Sequence, residues 1–414
     1  MAAMLPLTRK ENNVRNLHRT AAFGAALLLG ASALAACGSS DDKSSSSSGG
    51  NGGGSGGGLT AACKLSNPPT SQAKPVTNIN LGKASGKVGV ILPDTTSSTR
   101  YTLYDAPLLK KQFQAAGVTA DIQNAQGDKN RFASIAQSMI GEGVKVLIID
   151  SIDAASGAGV EKAANKAGVK VIDYDRVNLG GSAPYYVSFD NEDIGRLQAQ
   201  TMLDCLSAQG VKSPKVIMMD GGTDVDNNAV LFKKGAHEVL DKSSANVVEE
   251  QVVKGWTVSN AAPAFQQALT AAGGQVDGVL AANDDIANAV IGVLKNQGLA
   301  GHVVVTGQDS GVEGLQNIVN GQQSMTIFKD VKSEANAAAA LAIALLQGKD
   351  PSKVGLTLSP FKDPEAPNHK IQALLLPAQV ITQANVGDVV KAGALTKSEI
   401  CKGITAACAK VGLS

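Results

Sequence analysis

Short apolar runs recur along the sequence from residue 87 onward, and helix-sized stretches separate them. The runs KVGVIL, VKVLIID, VKVIDY, KVIMM, VDGVLAA and HVVVTG begin at residues 87, 144, 169, 215, 276 and 302. Such Val- and Ile-rich runs predict buried strands. Amphipathic-helix spacing appears between two of them, at Phe132, Ile135, Ala136, Met139 and Ile140. The alternation predicts βαβ units, and so many units predict an α/β protein with two doubly wound parallel-sheet lobes.

Polar side chains gather directly after these runs. Asp150 ends one strand, Asp175 and Arg176 end another, and the clusters DGGTDVDNN, ANDD and GQDS begin at residues 220, 282 and 307. A single Asp or Asn in such a place is commonly a helix N-cap. In open parallel sheets, however, ligands bind in the crevice outside the carboxyl ends of the strands. Five clusters at equivalent places therefore predict a ligand cleft.

The side chains expected in this cleft carry no net charge. Three acids and three bases oppose one another, and they are Asp175, Asp226, Asp309, Arg100, Arg176 and Lys329. Asn228 and Asn283 add amides, which both donate and accept hydrogen bonds. A mixed set of this kind suits the hydroxyl groups of a neutral polyol. Trp256, the one tryptophan of the chain, is interpreted either as a half-buried core residue or as a flat surface for the C–H face of a sugar ring.

Signals for catalysis, cofactors and nucleic acid are weak. None of the four histidines stands in a recognisable nucleophile context, and the sequence has neither a phosphate-binding loop nor a dinucleotide fingerprint. The cleft carboxylates have matching cations, which would keep them ionised, whereas a general acid needs a raised pKa. A formal net charge of +1 gives no electrostatic case for nucleic acid. We therefore expect a binding protein without catalytic residues, cofactor or metal.

The N-terminal segment is typical of an export signal. Four basic residues precede an apolar stretch at residues 21–36, which ends in Leu34-Ala35-Ala36-Cys37 and is followed by a Ser- and Gly-rich stretch. The block LAAC resembles the lipobox of bacterial lipoproteins, which implies lipid on Cys37. An ordinary signal peptide with an incidental cysteine is the alternative. The stretch that follows predicts a flexible tether.

Four cysteines remain once Cys37 is set aside: Cys63, Cys205, Cys401 and Cys408. An even number in an exported protein predicts two disulfides, with three possible pairings. Four buried free thiols are the alternative. No two of the four have the close spacing of a zinc site.

Several of these segments together resemble the periplasmic xylose-binding proteins of bacterial ABC importers, relatives of the ribose-binding proteins. The segments are VIDYDRV, YYVSFDNEDIGRLQA, VDNNAVLFKKGAHEVL, VKGW, AANDD and VTGQDSGVEGLQNIVNGQQSMTIFKD, and the resemblance runs from about Lys87 to Gln383. It implies two lobes joined by a three-strand hinge, with the ligand cleft between them. The sequence then divides into a signal peptide (1–37), a tether (38–84), an N-terminal lobe (85–190 with 326–350) and a C-terminal lobe (191–325 with 351–414).

The resemblance also implies the sugar-binding side chains. They are Arg100, Tyr101, Asp175, Arg176, Asp226, Asn228, Trp256, Asn283, Asp309 and Lys329. The sequence departs from the family pattern at Tyr101, where xylose binders tend to carry Trp, in the longer loop from Pro93 to Arg100, and most of all after Ala384. These departures bear on which sugar is bound.

As implied by this resemblance, the protein captures D-xylose or a related aldose by hinge closure. It delivers the sugar to an ABC permease and its ATPase. A monomer, lipid-anchored through Cys37 to the outer face of the cytoplasmic membrane, is expected. The alternative is a lipid-anchored sensor that presents bound sugar to a signalling or chemotaxis receptor.

Overall fold

The computed structural model describes residues 59–74 and 81–413. The export signal and Cys37 lie outside the described residues, so lipidation stays a prediction. In the described part of the chain, no helix has both the length and the apolar character needed to cross a membrane.

The strands alternate with helices through most of the chain. In the described residues the strands are β1 (Lys87–Leu92), β2 (Thr119–Asn124), β3 (Val146–Ile149), β4 (Lys170–Tyr174), β5 (Tyr185–Phe189), β6 (Lys215–Asp220), β7 (Asn246–Val252), β8 (Gly278–Ala281), β9 (Val304–Val305), β10 (Met325–Phe328), β11 (Ser359–Phe361), β12 (Ile371–Leu376) and β13 (Gln379–Thr382). The α-helices are α1 (Ala106–Ala116), α2 (Lys129–Gly141), α3 (Ala154–Lys166), α4 (Asn191–Ser207), α5 (Asn227–Leu240), α6 (Ala261–Ala271), α7 (Asp284–Asn296), α8 (Val312–Val319), α9 (Val331–Leu346), α10 (Gly387–Lys391), α11 (Lys397–Ile400) and α12 (Thr405–Lys410). Shorter helical turns are Tyr101–Asp105, Lys254–Trp256, Val258–Asn260 and Pro351–Val354.

The first lobe is built on a seven-stranded sheet of order β11-β12-β5-β4-β3-β1-β2. Its strands pair in parallel, except for the antiparallel pair β11–β12. Alternate residues of β1 enter opposite cores: Val90 shares one with Phe113 of α1, and Ile91 shares the other with Phe132 of α2. Burial on both faces explains why these strands are continuous apolar runs. The predicted doubly wound sheet is confirmed.

The second lobe has a four-stranded parallel sheet of order β7-β6-β8-β9. Its strands also feed two cores: Ile217 belongs to one, and Met218 to another that includes Met202 of α4. Strands β10 and β13 form a separate antiparallel pair. Gln308, which follows β9, forms an isolated bridge to Ile327 of β10.

The chain passes between the lobes at three places. These are the β5–α4 junction, the β10–α9 junction and the short β12–β13 connection. Helix α9 contacts α1 and strands of the first sheet, whereas α4 contacts α5, β8 and β10. The predicted assignment of all of 351–414 to the C-terminal lobe is wrong for β11 and β12. These strands hydrogen-bond into the first sheet because β12 pairs in parallel with β5.

Residues 59–74 lie on the second lobe. Cys63 is buried and forms a disulfide with Cys205 of α4. The Ala61 N–H donates to the Gly301 carbonyl at 2.9 Å, and Thr70 forms a β-bridge to Gln379. The predicted flexible tether, 38–84, is therefore wrong for residues 59–74, because a disulfide and backbone hydrogen bonds fix them.

The C-terminal segment packs against the second lobe. Leu395, Ile400 and Cys408 share a core with Leu315 and Ile318 of α8. A second disulfide joins Cys401 to Cys408. One of the three possible cysteine pairings is therefore selected, and two disulfides form as expected.

The two disulfides should contribute unequally to stability. Loop closure in the unfolded chain costs more entropy for the Cys63–Cys205 bridge, with a sequence separation of 142, than for Cys401–Cys408, with a separation of 7. Replacing the first pair with Ser should lower the free energy of unfolding by about 4–5 kcal/mol, and replacing the second pair by about 2 kcal/mol. Urea unfolding followed by circular dichroism measures both. A larger loss from the C-terminal pair would contradict this account.

Candidate functional site

A narrow polar cavity of about 30 Å³ lies between the two lobes. Its lining residues come from both lobes and from the β10–α9 crossing: Ser97, Ser98, Arg100, Tyr101, Asp175, Arg176, Asp226, Asn228, Phe232, Trp256, Asn283, Gln308, Asp309 and Lys329. The structure therefore brings all ten residues predicted from the sequence to one place. The carboxyl ends of the parallel strands supply most of them, as this class of sheet requires. Their role in binding remains a prediction.

Asp175 is fixed through its backbone carbonyl directly after β4. This carbonyl accepts hydrogen bonds from the Tyr186 hydroxyl at 3.1 Å, the Ser188 hydroxyl at 2.8 Å and the Asn228 side-chain amide at 2.9 Å. Tyr186 and Ser188 belong to the neighbouring strand β5, and Asn228 belongs to α5 of the second lobe. The strand thus ends at a contact between the lobes.

Three of the predicted site residues have left-handed backbone conformations. The φ angles are 59° at Asp175, 57° at Trp256 and 93° at Asp309. Gln126 and Ser310 are the other non-glycine residues with positive φ in the described part of the chain. Such conformations cost on the order of 1–3 kcal/mol each and persist where surrounding contacts fix them, commonly at functional sites.

Arg100 is buried among three carboxylates. Its guanidinium donates to Asp105 at 3.0 and 2.8 Å and to Asp175 at 3.2 Å, and it also pairs with Glu334 of α9. The side chain of Arg100 is only 5 % exposed. Bidentate pairing with Asp105 holds the planar guanidinium in one orientation, so that its remaining nitrogen reaches Asp175.

Tyr101 lies between two guanidinium groups. Arg100 and Arg176 each place the guanidinium carbon 5.7 Å from the ring centroid. The phenol hydroxyl donates to Asp175 at 3.0 Å. Tyr101 therefore presents both a ring and a hydroxyl at the cavity wall.

Arg176 crosses between the lobes. It donates to the Ser151 carbonyl at 3.2 Å and to the Ser97 hydroxyl at 3.0 Å, and it lies 3.4 Å from Asp226 of the second lobe. Asp150 lies 3.8 Å from the same guanidinium, behind the cavity. The opposite charges of Arg176 and Asp226 favour the closed arrangement of the lobes.

Asp226 and Trp256 form one unit in the second lobe. Asp226 caps α5 by accepting from the Asn228 N–H at 2.8 Å, and its other oxygen accepts from the Trp256 indole N–H at 3.0 Å. Trp256 is buried, and its ring lies against Gly221, where an added Cβ would come within 2.1 Å of the indole. Glycine at 221 is therefore needed to admit the ring. Trp256 is both a buried residue and a cavity wall, so its two interpretations are compatible.

Asn283 and Asp309 complete the wall of the second lobe. Asn283 caps α7 by accepting from the Ile286 N–H at 2.9 Å. Asp309 lies 2.9 Å from the ammonium of Lys329, which follows β10. The N-cap interpretation thus holds for Asn283 and Asp226, and both side chains still line the cavity.

Two buried carboxylates behind the cavity, Asp105 and Glu334, were missed by the sequence analysis, and Asp150, which it named as a strand-end acid, was not among the ten predicted binding residues. The sequence signal was present for Glu334, which stands alone as an acid in the Ala-rich apolar helix α9. The predicted charge balance of the cleft therefore has to include further acids. Burial raises the pKa of Asp150, and the nearby Asp175 raises it further.

Protonation restores much of the charge balance. Burial raises the pKa of Glu334 to about 8, despite the lowering effect of Arg100. Burial alone would also raise the pKa of Asp175, but Arg100, Lys329 and Arg176 bring it below its ordinary value. Asp175 is thus ionised at neutral pH, while Glu334 behind the cavity is largely neutral.

No group of three or more potential metal ligands occurs within residues 59–74 and 81–413. The cavity instead offers a mixed set of donors and acceptors. Carboxylates accept, guanidinium and ammonium groups donate, and the amides do both.

The chain belongs to the periplasmic binding protein family. A family model described as a periplasmic binding protein domain matches residues 88–350. The D-xylose-binding periplasmic protein of Escherichia coli (strain K12) is 33% identical over 330 residues, which cover 78% of this chain and 96% of that protein. The multiple sugar-binding periplasmic receptor of Rhizobium radiobacter is 34% identical over 283 residues, covering 64% of this chain and 79% of the receptor.

Solved structures show the same fold. The carbohydrate transporter solute-binding protein of Chloroflexus aurantiacus, in complex with D-glucose, superposes with a TM-score of 0.67 at 26% identity and covers 76% of this chain and 98% of that one. An ABC transporter solute-binding protein of Clostridium phytofermentans with bound β-D-glucose has a TM-score of 0.67 at 27% identity and covers 76% of this chain and 99% of that chain. The protein is accordingly a solute-binding protein and not an enzyme.

Replacing Arg100 with Met should destabilise the protein strongly. The substitution leaves Asp105 and Asp175 buried without this cation, and losing one partner of a buried ion pair costs about 3–5 kcal/mol. Arg196→Met is the matched control, because Arg196 also pairs with three carboxylates but is 33% exposed. Urea unfolding should show a loss of at most about 1 kcal/mol for this control. Equal losses for both variants would contradict the account.

Replacing Glu334 with Gln should flatten the pH dependence of stability. Because the pKa of Glu334 is raised to about 8 on folding, the folded state holds an extra proton between roughly pH 4.5 and 8. Stability from this group is therefore present at low pH and lost as pH rises through 8.

Urea unfolding at pH 5, 6, 7 and 8 measures the effect. Between pH 5 and 8, the unfolding free energy of the wild type should fall more steeply than that of Glu334→Gln, by up to roughly 1.4 kcal/mol per pH unit. Exposed Glu142, whose pKa is lowered by its hydrogen bond from Lys87, is the control, and Glu142→Gln should leave the slope unchanged in this interval. Parallel wild-type and Glu334→Gln curves would overturn the assignment.

Proposed function

We propose that the protein captures a neutral monosaccharide, D-xylose or a related aldose, between its two lobes and delivers it to the permease and ATPase of an ABC importer. The observation that carries this proposal is the mixed polar lining of the cavity between the lobes. Carboxylates, amides and cations all line it, and the indole of Trp256 supplies a flat apolar wall. Only a set that both donates and accepts can satisfy a ring of hydroxyl groups.

The choice of an aldose draws on the relatives. Two related proteins are named for D-xylose, and two related solved structures hold glucose. In this chain Tyr101 stands where xylose binders tend to carry Trp, and its phenol offers a further hydroxyl contact. A pentose or hexose in the pyranose form would place its C–H face on Trp256 and its hydroxyls among the charged groups.

Capture requires the lobes to separate. A cavity of about 30 Å³ has room for little more than water, and its charged groups pair with one another, Arg176 with Asp226 across the cleft and Lys329 with Asp309 beside it. Sugar hydroxyls would take over these pairings as the lobes close again. Rotation about the three crossings between the lobes, with closure stabilised by the bound sugar, is a ligand-driven population shift.

The proposed place of action is the outer face of the cytoplasmic membrane. The export signal and the lipobox-like cysteine Cys37 support lipid anchoring of a monomer. No feature of the described residues favours the alternative of a sensor for a signalling or chemotaxis receptor.

Replacing Asp309 with Ala should weaken binding of the sugar by about 100-fold or more. The substitution removes an acceptor and leaves the Lys329 ammonium unpaired in a buried cleft, which costs roughly 3 kcal/mol. Isothermal titration calorimetry with D-xylose, D-glucose, L-arabinose, D-galactose and D-ribose measures the affinities. Asp388→Ala is the control, because Asp388 lies outside the cavity lining and forms a similar pair with Lys391, whose side chain is 80% exposed. Unchanged affinity in Asp309→Ala would refute the assignment of this residue, and no binding of any aldose to the wild type would refute the proposed function.

A further inference from the structure

A second and much larger cavity, of about 560 Å³, lies between the lobes beside the polar one. We propose that this chamber receives the apolar aglycone of a glycoside whose sugar ring occupies the polar cavity. This inference rests on the proposed function and narrows the substrate class from free aldoses to aryl or alkyl glycosides.

The two cavities are neighbours that share a wall. Ser98, Arg100, Asp309 and Lys329 line both of them. The side chain of Asp309 is 25% exposed, whereas that of its partner Lys329 is 7% exposed. The Asp309–Lys329 ion pair therefore separates the two cavities. A substituent that is attached to the sugar and extends past this pair enters the chamber.

Most of the accessible surface of the chamber walls is apolar. Leu103, Tyr104, Pro107 and Leu108 of the first lobe face Val312, Phe328, Val331 and the turn Ala392–Leu395. Leu103 is 60% exposed and, with Val230, is one of the two exposed large hydrophobic residues in the described ranges. Covering such a side chain with an apolar ligand releases water and favours binding.

The size and charge of the chamber limit which chemical groups can occupy it. A volume of about 560 Å³ is in the usual range for pockets that bind small molecules. Charged groups of both signs stand around the chamber, among them Lys111, Lys332, Asp285 and Glu313, so neither an anionic nor a cationic substituent gains a clear advantage. Most of the accessible wall surface is nevertheless apolar, whereas a second sugar ring would need polar partners on all sides. An aryl or alkyl group fits these walls best.

One wall of the chamber is anchored within the second lobe. The turn Ala392–Leu395 follows α10, and Leu395 is anchored in the core that the Cys401–Cys408 disulfide closes. This turn belongs to the segment in which the sequence departs most from the family pattern, and Ser98 belongs to the other, longer loop. Two segments in which the sequence departs from the family pattern therefore contribute to the chamber wall.

Isothermal titration calorimetry on the purified protein tests the proposal with matched pairs of ligands. The probes are D-xylose and D-glucose, their p-nitrophenyl and octyl glycosides in both anomers, and the corresponding disaccharides xylobiose and cellobiose. At least one p-nitrophenyl or octyl glycoside should bind tenfold or more tightly than its parent sugar.

Two variants, each with a control, test whether the gain in affinity arises in the chamber. Ala394→Trp fills the chamber and should remove the tenfold gain while the parent sugar keeps its affinity; exposed Ala409→Trp should change neither. Leu103→Ser should reduce the gain, whereas Val230→Ser, at the other exposed large hydrophobic residue, should not. Both Leu103 and Val230 are exposed, so these variants should fold.

The outcomes separate this inference from the proposed function. If a free aldose binds but its glycosides bind no more tightly, or if only a disaccharide binds more tightly, the chamber does not take an apolar aglycone. If Ala394→Trp leaves the gain intact, the aglycone lies elsewhere and the inference is also overturned. If neither sugars nor glycosides bind, the proposed function itself fails, and this inference with it.

Discussion

The two lobes meet at three buried cations, Arg100, Arg176 and Lys329, of which Arg176 pairs across the cleft with Asp226. Each is at least nine-tenths buried, and each pairs with a carboxylate across or beside the cleft. An unpaired buried charge is expensive, so these cations fix where the carboxylates of both lobes must lie. The strained backbone at Asp175 and Asp309 accompanies this pairing: the Asp175 carboxylate accepts from Arg100 and Tyr101, and the Asp309 carboxylate lies against the Lys329 ammonium. Ion pairs between opposite charges thus stabilise the closed form. A ligand with many hydroxyl groups can replace these pairings without leaving a charge unpaired.

The fold was predictable from the sequence where strands are buried on both faces. Runs such as KVGVIL and VKVIDY become β1 and β4 because every residue of a central parallel strand meets a core. Strand β2 was missed because its sequence, TADIQN, is polar and lies at the edge of the sheet. The run HVVVTG predicts a strand, but only Val304–Val305 pair in the ladder, since β9 is also an edge.

The cavity lining was predictable because parallel strands deliver their carboxyl ends to one side, so polar residues at those ends converge. Asp105, behind the cavity, was not predictable, because its contacts arise only from tertiary structure. Asp105 sits in a polar stretch, YTLYD, where nothing distinguishes it from a surface acid, yet it is fully buried against Arg100. The position of β11 and β12 in the first lobe was also not predictable from the sequence, since it depends on a long-range pairing of β12 with β5.

The central claim, capture of a neutral aldose in this cleft, can be tested most directly through Trp256. Because Trp256 is the one tryptophan of the chain and lines the cavity, its fluorescence reports on the site alone. Titration with D-xylose and other aldoses should give a saturable change in emission with at least one of them, and amino acids should give none. A flat signal with every monosaccharide would contradict the account.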